Sequence, residues 1–287
     1  MIGYSSIVYQ GFVWRLHQGG LLPLSPPKLI DEFINHHAER LLEDENALFI
    51  RWESHFDYDK ELPWWHVIKE QHDALESLPK KTRYMIRKAN DAFDVRRISK
   101  VDVLKDGYQV YVRAYERYDT YEKMYDYQQF CNAVSEVSEN TEFWGVFDIE
   151  SNKLVAFSEN YIEGATCFYV SMWINPDVMN QFAGYLLFYR MEQDYLGERG
   201  FEYISDGARS LSHDTNIHDF LIQKFRFRKA YSCLNVKYRY WLRVLINISY
   251  PFRVLTNYFS LDAFKKANVL LKQEEIRREC ESRMRSS

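Results

Sequence analysis

Apolar and polar residues alternate along three neighbouring segments in the middle of the chain. These segments are residues 141–149, 154–162 and 166–174. Alternation with a period of two is typical of β-strands with one buried face. Two short pairs with turn-forming residues, Ser151-Asn152 and Glu163-Gly164, separate the segments, and such turns join antiparallel neighbours. The pattern therefore predicts an antiparallel three-stranded meander.

Most of the other long segments have apolar residues every three to four positions, which is the helical period. They predict helices over residues 29–42, 101–118, 121–137, 181–197 and 215–225. Extended aromatic and β-branched segments predict strands over residues 4–16, 47–52, 94–98, 201–205 and 231–238. Glycines and prolines predict a loop over residues 19–27, and residues 57–65 are expected to form an aromatic-rich connection. From residue 101 onward the order is therefore helix, helix, three antiparallel strands, helix, strand, helix, strand.

A helix beginning near Ser77 is predicted to have two different faces. At 100° per residue one face is apolar and carries Leu78, Thr82, Met85, Ile86, Ala89 and Phe93. The other carries Lys80, Lys81, Arg83, Tyr84, Arg87 and Lys88. The chain as a whole has a net charge of -4, so the basic face indicates a local anion-binding surface. Lys80, Arg83 and Arg87 are predicted to contact phosphates or substrate; a solvated charged face is the alternative.

Composition narrows the class of protein. Aromatic residues make up 17% of the 287 residues, which suits a fold with much strand or a wide binding cleft. The four cysteines are far apart and form no C-x-x-C pair, so structural zinc is not expected and the thiols are predicted to be reduced. Neither a signal peptide nor a membrane-spanning stretch is evident, which predicts a cytoplasmic protein.

The element order resembles the Gcn5-related N-acetyltransferase (GNAT) fold, in which a splayed sheet receives a thioester donor between its fourth and fifth strands. These strands correspond to residues 166–174 and 201–205. The motif Arg83-Tyr-Met-Ile-Arg-Lys-Ala89, followed by Phe93-Asp-Val-Arg, resembles the R-x-x-I-R-K-A helix and ensuing strand of the Fem-type aminoacyltransferases and related acyltransferases. Residues 47–52 resemble a front strand of that family.

This resemblance implies an α+β fold with a mixed, mostly antiparallel sheet flanked by helices, a short N-terminal α/β lobe and a C-terminal helical tail. The predicted boundaries are residues 1–76 for the lobe, a degenerate GNAT-like half, and residues 77–240 for the acyltransferase core. The amphipathic and charged tail takes up residues 241–287.

The resemblance also implies where the donor binds. Acetyltransferases of this superfamily carry Q/R-x-x-G-x-G/A at the start of the central helix, where backbone N–H groups hold the pyrophosphate of coenzyme A. Gln181 and Gly184 match the first two anchors, but Leu186 stands at the last small position. A bulky residue there favours a donor without the adenosine diphosphate end, such as an acyl carrier protein or an aminoacyl-tRNA. The alternative is a helix start that contains Gln and Gly by chance. The backbone near Ser171 and Trp173 is implied to face the acyl carbonyl.

Acyl transfer to an amine needs a base for the amine proton and hydrogen-bond donors for the oxyanion. Glu159 is the first predicted base, because a carboxyl group within an apolar strand has reason to carry a raised pKa. A surface position on a half-exposed strand is the alternative for Glu159.

A polar segment, residues 205–216, follows the predicted fifth strand and is a second source of site residues. Its candidates for orienting a phosphate or a sugar hydroxyl are Asp206, Arg209, His213 and Asn216, and Asp206 or His213 could also serve as the base. Helix capping by Asp214 or Thr215 is the alternative explanation. Tyr231 is a candidate proton donor to a departing thiolate, with core packing as the alternative.

Residues 239–259 predict a tail helix. Arg239, Arg243 and Asn247 recur every four residues, opposite an apolar face of Trp241, Leu242, Val244, Leu245, Ile246 and Ile248. This pattern is typical of a helix that lies on a membrane surface, here the inner face. A helix packed on its own domain or on a second subunit is the alternative. Beyond Ala263 a solvated or partner-binding helix is expected.

Together these features predict an enzyme, an N-acyltransferase. Its donor would be an acyl-CoA or acyl carrier protein thioester that acts as co-substrate, with no tightly bound cofactor and no metal. The acceptor would be the amine of an amino sugar, an amino acid or a lipid-linked cell-envelope precursor. One alternative is an aminoacyl-tRNA-dependent transferase, with the basic helix as the RNA contact; another is a catalytically silent binding module.

Overall fold

The computed structural model of the chain describes residues 2, 5–17, 19–117, 123–211, 216–253 and 262–285. These residues divide into two compact units. The first unit comprises Ile68–Gly207 and Ile217–Arg228 together with Ile2. The second unit comprises the described residues of Ser5–Val67, Ala208–Asn216 and Lys229–Ser287. The boundaries predicted at residues 76 and 240 remain predictions.

Eleven strands are present in the described part of the chain. They are β1 (Ser5–Tyr9), β2 (Phe12–His17), β3 (Gly20–Pro23), β4 (Phe49–Tyr58), β5 (Trp64–Lys69), β6 (Phe93–Ile98), β7 (Thr141–Asp148), β8 (Leu154–Glu163), β9 (Thr166–Ile174), β10 (Tyr203–Ala208) and β11 (Arg228–Tyr238). In the first unit the strand order is β6-β7-β8-β9-β10, and in the second it is β1-β2-β3-β4-β11. Along these two orders the neighbouring strands pair antiparallel, except that β3 is parallel to β4 and β9 is parallel to β10.

The α-helices flank these strands. They are α1 (Pro27–Asp44), α2 (Lys80–Ala92), α3 (Lys100–Asp102), α4 (Tyr108–Tyr115), α5 (Tyr127–Ser135), α6 (Ala183–Glu192), α7 (Asn216–Phe225), α8 (Tyr240–Ser249) and α9 (Asp262–Arg285). A π-helical segment, Val103–Gly107, joins α3 to α4, and a second one, Gln193–Glu198, continues α6. Among the described residues, no helix is both long and apolar enough to cross a bilayer.

The predicted meander is confirmed as β7-β8-β9. Its register places Phe143 opposite Glu159 and Glu159 opposite Ser171. The β8–β9 ladder then shifts, because Asn160 pairs with Tyr169 and leaves Val170 as an extra residue on β9. A bulge of this kind turns the side chains that follow it to the opposite face of the strand. It therefore sets which β9 side chains share a face with Glu159.

The sheet of the first unit has an apolar layer on each face. Phe157 of β8 packs with Tyr111, Phe130 and Val134 of α4 and α5. On the opposite face, Ser158 contacts Met191 of α6. Neighbouring residues of β8 point to opposite faces of the sheet, so this strand contributes side chains to both apolar layers. Its first eight residues are therefore all buried.

Helix α2 confirms the two predicted faces. Thr82, Ile86 and Ala89 are buried, while Lys80, Lys81, Arg87 and Lys88 are exposed. The buried stripe packs alongside α6. A stripe of this kind at helical spacing is sufficient to fix which side of a helix faces the core.

The second unit corrects three predictions. The single extended segment over residues 4–16 is a hairpin, because Gln10 and Gly11 both adopt positive φ and turn the chain between β1 and β2. Two positive-φ residues match the twist of a two-residue hairpin, although the sequence lacks the usual Asn-Gly or Asp-Gly signal. Within the predicted loop over residues 19–27, Gly20–Pro23 form strand β3. The connection predicted over residues 57–65 is shorter than expected, because β4 extends to Tyr58 and β5 begins at Trp64.

Tail helices α8 and α9 also belong to the second unit. Leu242 and Ile246 of α8 are buried with Phe49 and Tyr238, so this side of α8 packs on its own unit. Helix α9 buries Leu271, Ile276 and Cys280, so it is not simply a solvated helix.

Candidate active site

The first unit contains the feature that defines the candidate site, a divergence of two parallel strands. β9 and β10 pair at only three positions, the last of which joins Phe168 to Ser205. Beyond this pair both strands continue without further pairing to each other. Gly207 has a φ of +85°, and a Cβ there would lie 3.0 Å from the Phe168 ring, so this position of β10 favours glycine. We call the opening beyond Phe168 and Ser205 the splay.

Glu159 lies on β8 beside the splay strand β9 and is completely buried. Its Oε2 accepts hydrogen bonds from the backbone N–H of Ile2, at 3.0 Å, and from the hydroxyl of Ser171, at 3.2 Å. Its Oε1 has no hydrogen-bond partner among the described residues. Burial raises the pKa of Glu159, while the hydrogen bonds from Ile2 and Ser171 oppose that rise. The alternative of a half-exposed surface residue is therefore wrong; the role of Glu159 as a base remains a prediction.

Ser171 and Trp173 form a chain of hydrogen bonds that ends at Glu159. The indole N–H of Trp173 donates to Ser171 Oγ at 3.2 Å, and the ring packs edge-on against Tyr111 at 4.7 Å. Both side chains are thus engaged within the unit. The role of the β9 backbone in binding a donor remains a prediction.

Asp206 lies on β10 immediately beyond the last paired residue. Its Oδ2 is 3.3 Å from Nε2 of His218 in the first turn of α7, and the two side chains are only 13% and 9% exposed. Burial raises the pKa of Asp206, and the hydrogen bond to His218 counteracts part of that rise. A carboxyl group that orients an imidazole is a recurrent arrangement for proton transfer.

Sequence reasoning selected Asp206 but missed His218. The two residues are separated by twelve positions that follow no helical or strand period. Only the packing of α7 brings them together. The signal that could have suggested His218 is its place in the first turn of a helix that begins where the polar segment ends.

The link between β9 and α6 contains the predicted donor loop. A 3-10 turn, Pro176–Gln181, leads to Phe182, whose φ of 65° starts α6. Gln181 is exposed, and a Cβ at Gly184 would lie 3.0 Å from Ile174. Leu186 is 1% exposed, so its side chain packs in the core.

The cations of α2 differ in what they contact. Arg83 donates to the carbonyl of Glu76 at 2.5 Å, and Arg87 lies 3.5 Å from the carboxylate of the same residue. Lys88 Nζ lies 5.5 Å from the centre of the Phe182 ring, which places a positive charge beside the start of α6. No carboxylate of the described residues pairs with Lys80 or Lys88.

Three predicted site residues belong to the second unit. The Arg209 guanidinium donates to the carbonyl of Pro63 at 2.8 Å, which is a structural contact. Tyr231 is a half-buried residue of β11, in register with Tyr58 of β4. Asn216 is exposed at the start of α7. His213 lies outside the described residues, as do the capping candidates Asp214 and Thr215.

A buried ion pair of the first unit was missed altogether from sequence. Lys69 Nζ lies 2.6 Å from Glu192 Oε2, 2.7 Å from the carbonyl of Phe225 and 3.1 Å from Asp73. Lys69 also lines a cavity of about 340 Å³ with Asp73 and Arg226 among its walls. Burial raises the pKa of Glu192 to about 8, while the charge of Lys69 opposes the rise. The three acceptors satisfy the ammonium group, so we interpret this cluster as structural.

Comparison with known proteins shows a similarity of fold to solved structures. No family model matches the chain, and neither does any curated protein. Among solved structures, the chain is similar to FemX, with a TM-score of 0.50 and 10% identity over 80% of this chain and 87% of FemX. It is also similar to L-PGS from Bacillus licheniformis, with a TM-score of 0.49 and 14% identity over 96% of this chain and 89% of that one. A third similar structure is the C-terminal domain (DUF2156) of a putative lysylphosphatidylglycerol synthetase from Agrobacterium fabrum. That similarity has a TM-score of 0.48 and 11% identity over 82% of this chain and 84% of that one. The likeness to FemX shows that the chain has the fold of that protein, which agrees with the predicted α+β architecture of a mostly antiparallel sheet flanked by helices.

Proposed function

We propose that this protein is a transferase that moves an acyl or aminoacyl group from a phosphate-bearing donor to an amine, with the reaction at the splay of the first unit. The observation that carries the proposal is the divergence of β9 and β10 after three pairs, with Asp206 and His218 at its edge. A splayed pair of strands leaves backbone N–H and C=O groups unpaired, and these are the groups that can hold an extended thioester or ester.

In the proposed mechanism the neutral amine attacks the donor carbonyl. Backbone N–H groups of β9 beyond Phe168 stabilise the oxyanion that forms. The Asp206–His218 pair takes the proton that the amine loses, and the thiolate or ribose oxygen of the donor leaves as the carbonyl re-forms. All of these steps use groups of the first unit.

An acyl thioester is the first proposed donor, either acyl-CoA or an acyl carrier protein. The start of α6 supports it, because free N–H groups and the helix dipole favour phosphate there. Lys88 adds a charge next to this position. Since Leu186 is buried, its bulk does not obstruct a pyrophosphate at the helix start, and coenzyme A remains as suitable as a carrier protein.

An aminoacyl-tRNA donor is the second candidate. The row of exposed cations on α2 favours it, because Lys80 and Lys81 lie a turn or more from Lys88 and extend the positive surface along the helix. Such a row suits a long phosphate backbone better than one pyrophosphate.

Changing Lys80 and Lys88 together to Gln tests the donor surface. We expect affinity for the correct donor to fall about tenfold or more, with a weaker dependence on salt, because two phosphate contacts are lost. The fold should be unaffected, since both side chains are exposed. Acetyl-CoA, an acyl carrier protein and aminoacyl-tRNA are the probes, measured by thermal shift and by titration at two salt concentrations. The matched control changes Lys105 and Lys153 to Gln, two exposed lysines of the same unit that do not belong to α2.

Each outcome of this test separates two functions. If aminoacyl-tRNA raises the melting temperature of the protein and no thioester does, aminoacyl-tRNA replaces the acyl thioester as the proposed donor. Binding of a thioester with no thiol release in the presence of amino sugars, amino acids or amino-lipids would favour the silent binding module. Equal affinities of the Lys80/Lys88 variant and the control variant would mean that the basic face is only solvated.

A lipid-linked acceptor is proposed from the outer face of α8. Leu242 and Ile246 are buried, but six large apolar side chains between residues 240 and 252 remain exposed. They are Tyr240 at 84%, Trp241 at 51%, Val244 at 39%, Leu245 at 52%, Ile248 at 63% and Phe252 at 58%. Arg239, which precedes α8, donates to the carbonyls of Leu42 and Ala47, and Asn247 accepts from Arg278. The exposed Arg243 therefore supplies the charge. Aromatic and aliphatic side chains beside an arginine suit the surface of an anionic membrane.

Changing Trp241 and Ile248 to Ser is expected to weaken sedimentation with phosphatidylglycerol vesicles at least severalfold, because buried apolar area drives interfacial binding. Vesicles of phosphatidylcholine alone should bind less protein, since they lack the charge that attracts Arg243. The control changes Val101 and Ile149 to Ser, two exposed apolar residues elsewhere. Negligible binding of the wild type to both vesicles, with dimerisation that depends on Trp241, would assign the face to a second copy of the chain.

A further inference from the structure

Two of the four cysteines meet in the second unit. Cys233 lies on β11 and Cys280 on α9, and their exposures are 4% and 0%. The backbone N–H of Leu234, the residue next to Cys233, donates to Cys280 Sγ at 3.4 Å. The helix therefore holds the sulfur of Cys280 against the strand backbone beside Cys233. Both cysteines are free thiols, and each shifts the pKa of the other.

The surroundings of this pair are apolar. Both cysteines belong to a cluster with Trp64, Leu211 and Ile276. Among the described residues, no group of three or more His, Cys, Asp or Glu side chains is arranged to hold a metal ion. The neighbouring thiol of Cys233 lowers the pKa of Cys280, whereas the pKa of Cys233 is raised by Cys280 and by burial. Within the pair, Cys280 is thus the better nucleophile, and Cys233 is placed to react second.

We propose that Cys233 and Cys280 are a reversible oxidation site, at which a peroxide converts the two thiols into a disulfide that ties α9 to β11. The Cys280 thiolate attacks one peroxide oxygen, the O–O bond breaks, and a sulfenic acid and one water result. The Cys233 sulfur then displaces the sulfenic oxygen, which leaves with the Cys233 proton as a second water. The two thiols lose two electrons and two protons, and the peroxide is reduced to two waters.

The position of the pair gives the bond a structural consequence. Its two ends are separated in sequence by a stretch that contains α8, the helix with the exposed apolar face. A cross-link that closes a long loop restricts the unfolded chain, so it stabilises the folded unit. The disulfide would also fasten α9 to β11, the strand that directly precedes α8. This inference is independent of the transferase proposal, because none of the residues involved lies in the splay.

The experiment treats the intact reduced protein with hydrogen peroxide, then unfolds it and alkylates the remaining thiols. Reduced protein should take up four alkyl groups, one for each cysteine. Oxidised protein should take up two, and mapping should recover the peptides of Cys233 and Cys280 joined to each other. The melting temperature of oxidised protein should rise by about 5 °C or more and return to its starting value with dithiothreitol.

Variants separate this pair from the other thiols. A Cys131→Ser/Cys167→Ser protein should still form the bond, whereas a Cys280→Ser protein should keep all its remaining thiols and show no peroxide-dependent rise in melting temperature. Uptake of four alkyl groups after peroxide treatment of the wild type would overturn the proposal. So would a disulfide that joins any other pair. Because the mapping uses wild-type protein, the conclusion stands even if a variant fails to fold.

Discussion

Replacing Lys69 with Met is expected to lower the free energy of unfolding by about 3–5 kcal/mol, because two buried acceptors, Glu192 and the carbonyl of Phe225, lose their hydrogen-bond donor. Lys69 and Glu192 lie 2.6 Å apart, with side-chain exposures of 3% and 0%. Urea denaturation of both proteins at neutral pH measures the difference. The matched control is Lys237→Met. Lys237 also lies 2.6 Å from a carboxylate, that of Glu39, but Lys237 and Glu39 are both exposed. The control should have almost wild-type stability, because water screens an exposed pair.

The same pair predicts how stability depends on pH. The pKa of Glu192 is raised to about 8 in the folded protein, mainly by burial, from an ordinary value of 4.5. Between these values the folded protein holds a proton that the unfolded chain has released. The free energy of unfolding should therefore fall as the pH rises from about 4.5 to 8. A Glu192→Gln variant should have a shallower slope, because its amide does not titrate. An unchanged slope would mean that Glu192 is charged throughout this range.

Replacing Asp206 with Asn is expected to lower the turnover number of the proposed transferase by about 100-fold or more, because the residue that orients His218 as a base is lost. A His218→Gln variant should lose a similar amount, and combining the two changes should cost little more than either alone, since the residues act as one unit. KM for the donor should change little, because neither side chain lies at the start of α6. The pH dependence of the wild-type rate should be flattened in both variants.

Glu159→Gln provides the comparison that decides which carboxyl group is the base. Gln keeps the shape of the side chain and can still accept from Ile2 and Ser171. Because Glu159 is fully buried, we expect turnover to fall by less than about tenfold. A loss of 100-fold in Glu159→Gln, together with nearly normal turnover in Asp206→Asn, would return the role of base to Glu159.

The sequence by itself determined the elements whose pattern is local. The meander followed from alternation along β7, β8 and β9, with turn pairs between them. The two faces of α2 followed from its period, because each side chain's direction depends only on its place along the helix. The resemblance of the Arg83 to Ala89 motif and of the element order was sufficient to predict the fold.

Other local conformations gave no sequence signal. Gln10 turns the first hairpin in a left-handed conformation that glutamine seldom adopts, so the turn was not predicted. Strand β5 begins inside an aromatic-rich segment without alternation, and its last four residues are all buried. A strand buried on both faces has no period of two to detect.

Only the tertiary structure decided which polar groups meet. The partnership of Asp206 with His218 depends on the packing of α7, and the pair of Lys69 and Glu192 spans more than a hundred residues. The length of the splay was likewise set by where two parallel strands stop pairing, which depends on neighbours distant in the chain. Periodicity fixes the direction of a side chain relative to its own element, whereas the partner at the end of that direction is fixed by how elements pack. For this protein, the sequence determined the fold and the basic face of α2, and the packing determined the chemistry of the candidate site.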